Sequence, residues 1–274
     1  MKTAVNVVKI LIVILLLVAV FFPLYWMINI SLIPDNEVIR SRPHVIPPFS
    51  MITLNAYRET IFRFNLLKPL FNSVLIVLCA SVITLFLSFP VAYSLAKYTF
   101  RWKPIVHYLI IWFLALPWIV YVLPIFKIVS SIGFLDNHLL MILLYGFSGI
   151  PLFAWLALPF IREFPNELID AARLDGCSEL GIVWRVAVPS LQNAFVALFL
   201  IRFIWAYNDL LFALTFTFDK AKMVMPAILE IPGLFNLPYA KMAAGGVIAV
   251  MPILVLAIGF QSQIVSGLTG RTIK

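Results

Sequence analysis

Six apolar stretches, each about the 20 residues a helix needs to cross a bilayer, constrain this chain more than any other feature. They run 10–30, 72–96, 105–126, 139–161, 194–216 and 242–261. A segment in hydrocarbon must bond its own backbone, which an α-helix does, so the expected fold class is all-α, a polytopic membrane protein with six transmembrane helices. Composition agrees: 63% of the 274 residues are hydrophobic and 12% charged, outside the range of a soluble domain. The interiors hold Pro90, Pro117, Pro124, Pro151, Pro159 and Pro252, so kinks are expected where neighbouring helices take up the freed carbonyls. A cleaved signal peptide is the rival reading of the first stretch, but its apolar part is too long and no small-x-small site follows, which favours an uncleaved first span.

A net charge of +8 raises nucleic acid as a partner. The basic residues are dispersed among apolar segments and form no stripe, so the phosphate-neutralising patch is missing and the partner is the lipid bilayer. Cys79 and Cys177 are too few for a disulfide framework and are expected to be unpaired. Lys97, Arg101 and Lys103 crowd one tight loop, whereas Lys127 stands alone in 127–137, which puts the first loop and both termini on the cytoplasmic side.

Against this background residues 162–189 are polar. Asn166 to Leu174 has helical spacing, with Leu168, Ala171, Ala172 and Leu174 on the apolar side and Glu167, Asp170 and Arg173 free for water or a partner. Asp175-Gly176 supplies a stop. Glycine tolerates the left-handed conformation that ends a helix, and Ser178 followed by Glu179 starts a second short helix whose apolar side is Leu180, Ile182, Val183 and Val186. Pro189 suits the first turn of the next element. Membrane-surface helices carry Lys and Arg on their polar face, whereas Glu163, Glu167, Asp170, Asp175 and Glu179 here outnumber Arg162, Arg173 and Arg185. An acidic face points to a protein partner.

At these residues the chain resembles the permeases of ATP-binding-cassette importers, whose cytoplasmic EAA loop reads E-A-A, three residues, Gly, nine residues, I-x-L-P. Asp170-Ala171-Ala172, Gly176 and Val186-Ala187-Val188-Pro189 stand at those offsets, with Asp for Glu and Val for Ile and Leu. The nearest subfamily by resemblance is the maltose-transporter type of sugar permease, on Leu32 to Val38, Asn55-Ala56-Tyr57, Asn72-Ser73, Ala92 to Ala96, Trp205 to Asp209 and Val265 to Thr269. The resemblance implies the type I permease fold, a second permease subunit as heterodimer partner, two ATPase subunits and an extracytoplasmic solute-binding protein. It also implies a sugar or related polyol as cargo, moved by alternating access. The loop residues it marks for ATPase coupling are Asp170, Ala171, Ala172, Arg173, Asp175, Gly176, Glu179 and Pro189. The expected layout is a first segment 1–30, an extracytoplasmic loop 31–71 with one short helix near 54–64, a five-helix core 72–265 containing the coupling loop, and a cytoplasmic tail 266–274. The apolar loop 217–241, broken by Pro226, Pro232, Gly233 and Pro238, either pads the bundle or, by resemblance, reaches toward the solute-binding protein.

Catalysis has no support. His44, His107 and His138 are scattered, no metal-ligand spacing or nucleophile elbow occurs, and no phosphate-cradling G-x-x-x-x-G-K-[ST] loop exists. No cofactor or metal is expected in the chain, and ATP and Mg belong to partner subunits. Within the spans the exception is Arg202, with Asp209 seven residues on, expected on one helical face with Ala206 between. A guanidinium in lipid costs at least about 2.5 kcal/mol, so this face must turn inward. Either Arg202, Trp205, Tyr207, Asn208 and Asp209 line a translocation path or gate, or they lock helices through hydrogen bonds. Another cargo, glycerol phosphate or oligopeptide, and a membrane scaffold or enzyme remain the alternatives.

Overall fold

The computed structural model describes residues 2–38, 45–231, 238–263 and 265, and among these every regular element is helical. In chain order the principal helices are α1 (Lys2–Ser31), α2 (Leu67–Lys97), α3 (Lys103–Ala115), α4 (Trp118–Ser131), α5 (His138–Ser148), α6 (Ile150–Glu163) and α7 (Asn166–Leu174). They continue as α8 (Glu179–Ser190), α9 (Gln192–Tyr207), α10 (Leu211–Phe216), α11 (Val224–Leu229) and α12 (Tyr239–Gly259). Of these, α1, α2 and α12 are long and apolar enough to cross a membrane alone. Counting each bent pair, α3 with α4, α5 with α6 and α8 with α9, as one crossing brings the total to six.

The bends have local causes. Leu116 precedes Pro117 and is extended (φ −77, ψ 123), because the proline ring disfavours helix at the residue before it, and α3 and α4 meet there at 90°. Thus the expected third span, 105–126, is two limbs. The fourth breaks by 44° at Gly149, just before Pro151. Pro23, Pro90, Pro124, Pro159 and Pro252 stay inside continuous helices.

The expected fifth span, 194–216, also needs correction. Its helix ends at Tyr207, and α10 begins only at Leu211. Two polar side chains stop it: the Asn208 amide donates back to the Ile204 carbonyl (2.8 Å), and the Asp209 carboxylate accepts the Phe212 N–H (3.0 Å), capping α10 instead of continuing α9. A bend of 89° separates α8 from α9.

The chain divides into two compact units. In the first, residues 1–70 with 224–251, residues 6–23 of α1 are exposed and apolar but for Asn6 and Lys9, as lipid-facing surface must be. Polar contacts tie down the described residues of the following loop. Ser31 and Tyr57 share a hydrogen bond (2.6 Å), the Thr53 N–H donates to the Leu32 carbonyl (2.9 Å), and the short helix 55–58 continues through 59–63. Asp35 accepts the Ala240 N–H (2.9 Å) at the start of α12, and Lys241 pairs with Glu59 (2.9 Å).

In the second unit, 71–223 with 252–274, a buried cluster joins α2, α6, the 164–187 segment and Leu198 of α9. Leu85, Phe89 and Ala92 recur along α2, and Phe153, Ala157 and Ile161 along α6, at the spacing that keeps one helical face inward. At the Asn72 end of α2, two loops are clasped. Asp136, at φ 54, accepts four backbone N–H groups, from Phe218 (3.0 Å), Asp219 (3.1 Å), Lys220 (2.8 Å) and Ala221 (3.0 Å). The Asn72 amide donates to the Lys220 and Lys222 carbonyls (2.9 and 3.0 Å). Burial alone would raise the Asp136 carboxyl, but the four N–H donors outweigh it and hold it below its ordinary range. Of the expected 217–241 loop, 224–229 is the helix α11. Pro232 and Gly233, like the tail 266–274, lie outside the described residues.

Candidate functional site

Residues 166–190 form two short helices around a glycine stop. Gly176 has φ 79, its N–H bonds the Arg173 carbonyl (3.0 Å), and the Cys177 N–H reaches Ala172 (3.0 Å), closing α7. Ser178 is extended and its hydroxyl accepts the Gly181 N–H (3.2 Å), opening α8. Pro189 stands, as expected, in the first turn of a new α-helical stretch, Val188–Ser190, which closes α8 directly before the bend. It leaves α8 unbroken because 183–187 is a wide, π-type turn that leads into it.

The buried face of α7 differs from expectation. Ile169 and Ala172 are buried, whereas Leu168, Ala171 and Leu174 point outward, Leu174 being 90% exposed. Apolar residues stand at 168, 169, 171, 172 and 174, so spacing alone does not select a face, and contact with the cluster around Phe164 does. On α8 Ile182 and Val183 are buried and Leu180 is 63% exposed, for the same reason. The exposed side of the loop therefore carries Leu168, Leu174 and Leu180 among its acids.

Arg173 does not wait for a partner. Its guanidinium bridges Asp170 (3.3 Å) and Glu179 (3.0 Å), tying α7 to α8 across the Gly176 turn, with the Tyr98 hydroxyl at 3.4 Å. Hydrogen bonds from Tyr98 and Arg173 hold the Glu179 carboxyl below its usual range. Asp175 and Cys177 take no part in that cluster. Sequence reasoning missed the anchor beneath it: Lys97, the last residue of α2, donates to the Phe164 carbonyl (2.6 Å) and to Asn166 Oδ1 (2.8 Å), taking up groups at the link between α6 and α7. Its position at a helix C-terminus was the available signal.

A second polar cluster is buried. Arg202, 1% exposed, donates from Nε to Thr84 Oγ1 (3.1 Å) and from a terminal nitrogen to the Tyr145 carbonyl, with its charge 5.9 Å from the centre of the Phe153 ring. Tyr145 gives its hydroxyl proton to Asp209 (2.8 Å). So the structure brings Arg202 and Asp209 to one cluster through Tyr145, and not through a shared helical face, because Asp209 lies past the end of α9. Tyr207 is buried against Phe203 (ring centres 5.6 Å apart), while Trp205 and Asn208 are exposed. Thr84, Tyr145 and Gly149 were not singled out in the sequence, although Gly149-Ile150-Pro151 inside an apolar run signals a break. No group of three or more potential metal ligands occurs among the described residues.

Residues 88–269 match the family model described as binding-protein-dependent transport system inner membrane component. The trehalose transport permease SugB of Mycobacterium tuberculosis is 34% identical, over 92% of both chains. The arabinooligosaccharides transport permease AraQ of Bacillus subtilis is 28% identical, over 92% of this chain and 90% of its own. The trehalose/maltose transport permease MalG of Thermococcus litoralis is 28% identical, over 95% and 94%. Among solved structures, a bacterial ABC transporter that imports the acidic polysaccharide alginate aligns over 95% of this chain and 96% of its own, with TM-score 0.77 at 19% identity.

Proposed function

We propose, for a chain that belongs to the binding-protein-dependent transport system inner membrane component family, that it is the permease subunit of an ATP-driven sugar importer. Its fold is the type I permease fold, and it is a transport subunit, not an enzyme. The family works with ATPase and solute-binding protein partners. Relatives named for arabinooligosaccharide and for trehalose or maltose support a sugar cargo.

Beyond that, the second permease of the pair is a related but different chain, both termini lie in the cytoplasm, and ATP and Mg bind the ATPase subunits. The loop 162–189 is the docking element, with Asp170 and Ala171 facing the ATPase together with exposed Leu168, Leu174 and Leu180, Ala172 seating α7 on the bundle from its buried side, and Arg173 and Glu179 joining the two helices. ATP-driven closure displaces that loop, and α8 passes the displacement through Pro189 to α9. The importer thereby alternates between outward and inward states, whose different contacts with solute and nucleotide do the coupling. The observation that carries this reading is the loop's build: an acid- and leucine-faced knob tied to α2 by Lys97 and continuous with the bend into α9.

Cys177, half-buried and unpaired, provides the test. In a C79S background a membrane-impermeant maleimide should label it only in inside-out vesicles, and the presence of the ATPase should protect it. Labelling from the outside, or equal labelling with and without ATPase, would overturn the assignment.

A further inference from the structure

The fourth span breaks beside a buried cation. In an unbroken helix the Tyr145 carbonyl would accept the N–H of Gly149, but at the break that N–H turns to Phe147. The Arg202 guanidinium takes its place on the Tyr145 carbonyl, and Thr84 Oγ1 both accepts from Arg202 Nε (3.1 Å) and donates to the Gly146 carbonyl (2.8 Å). Ser88 covers the next limb by donating to the Ile150 carbonyl (3.3 Å). Gly149 leaves the room: a Cβ there would lie 2.6 Å from Arg202 Nε and 2.8 Å from Thr84 Cγ2. Any residue but glycine would push the cation from the break.

Arg202 stands on α9, eleven residues from Leu191 at the bend, about three turns or roughly 16 Å along the helix axis. An apolar side chain would fill the space at no cost in charge desolvation, so packing does not account for a guanidinium here. A fork of directed donors does one thing more: it makes the geometry of the break depend on where α9 is.

We propose that Arg202 is a positioning residue that transmits movement of α9 to the Gly149 break, so that the two limbs of the fourth span change angle as the coupling loop moves. The proposal rests on the transport reading above. It places Arg202 outside the solute's path, since the side chain is buried, with Thr84 and the Tyr145 carbonyl on two of its nitrogens and Phe153 against its face.

The test uses the complete importer with its ATPase subunits in lipid nanodiscs, in a C79S/C177S background carrying spin labels at exposed Leu139→Cys and Trp155→Cys, one on each limb. Distances are read without nucleotide and after trapping with ATP and vanadate. In the parent the distance should shift on trapping. In R202M the shift should vanish, or the distribution broaden about twofold, while nucleotide is still trapped; R202K, which keeps the charge, should restore part of the shift. An R202M shift equal to the parent's, or no shift in a parent that traps nucleotide, would overturn the proposal. If R202M does not assemble, Thr84→Val decides by the same criterion, because it removes the acceptor of Nε and leaves the charge. A parent that assembles without an ATPase or traps no nucleotide would instead sink the transport reading, and the proposal with it.

Discussion

Two arginines, Arg173 in the coupling loop and Arg202 inside the bundle, do comparable jobs at very different energetic stakes. Each bridges elements that the sequence separates, Arg173 joining α7 to α8 and Arg202 joining α9 to the fourth-span break. Arg173 and its carboxylates are exposed to solvent, where such pairs contribute about 0–1 kcal/mol and can break and re-form. Arg202 has no water to fall back on. Without it the Tyr145 carbonyl keeps only the Ser148 hydroxyl (3.2 Å) and Thr84 Oγ1 loses its donor, and a buried hydrogen bond to a charged group contributes about 1.5–3 kcal/mol. The lesson is one of division of labour: the surface cluster ties two short helices with pairs that water can part, and the buried one ties the fourth-span break to α9, so that the geometry of the break depends on that helix.

The sharpest attempt to break that contrast replaces both residues. R202M should lower stability by about 3 kcal/mol and R173Q by a clearly smaller amount, read from denaturation midpoints of the detergent-solubilised protein. Equal losses would mean that Arg202 is as replaceable as a surface charge. Next in size is Gly149→Ala. The added methyl overlaps Arg202 Nε and Thr84 Cγ2, so about 1–3 kcal/mol should be lost, and combining it with R202M should cost less than the sum, since the closer overlap, with Nε, disappears and Thr84 no longer holds the guanidinium. Additive losses would show that the glycine is needed for something other than this cation. On the loop, Ser178→Ala removes the acceptor for the Gly181 N–H and should cost about 1 kcal/mol, felt as faster amide exchange over 179–182 with no change at the fourth-span break.

How much of this was legible beforehand follows from what each feature depends on. The six apolar runs and the glycine stop at 176 are local properties of the chain, and the sequence displays them directly. So is the capping serine at 178. The bends at Leu116 and Gly149 were legible as prolines but not as angles, because Pro90 and Pro252 in equally apolar helices leave the helix continuous. What was not legible depends on neighbours far along the chain. The partners of Arg202 sit 118 and 57 residues away, and Lys97 reaches Asn166 69 residues on. The inward face of α7 could not be chosen from a nine-residue helix with apolar residues nearly all round. Placing Asp209 on the same helix as Arg202 failed because two short polar side chains, Asn208 and Asp209, bond the backbone and end the helix between them.

The smallest effect concerns pH and refines the description of the surface cluster. The folded loop holds the Glu179 carboxyl below its unfolded value, so its contribution is fully present above that value, about pH 4.3, and fades as pH falls through the lower folded one. From pH 7 to pH 5 the tie between α7 and α8 should therefore be unchanged, with amide exchange across 173–179, corrected for its intrinsic pH dependence, staying flat. Below about pH 4.3 protection should decline in the parent but not in E179Q, which has no charge to lose. A decline already at pH 5 would mean that Glu179 is not held as a carboxylate by Arg173 and Tyr98. The knob would then need its ATPase partner to form, and the contrast between a self-supporting surface cluster and a buried joint would have to be redrawn.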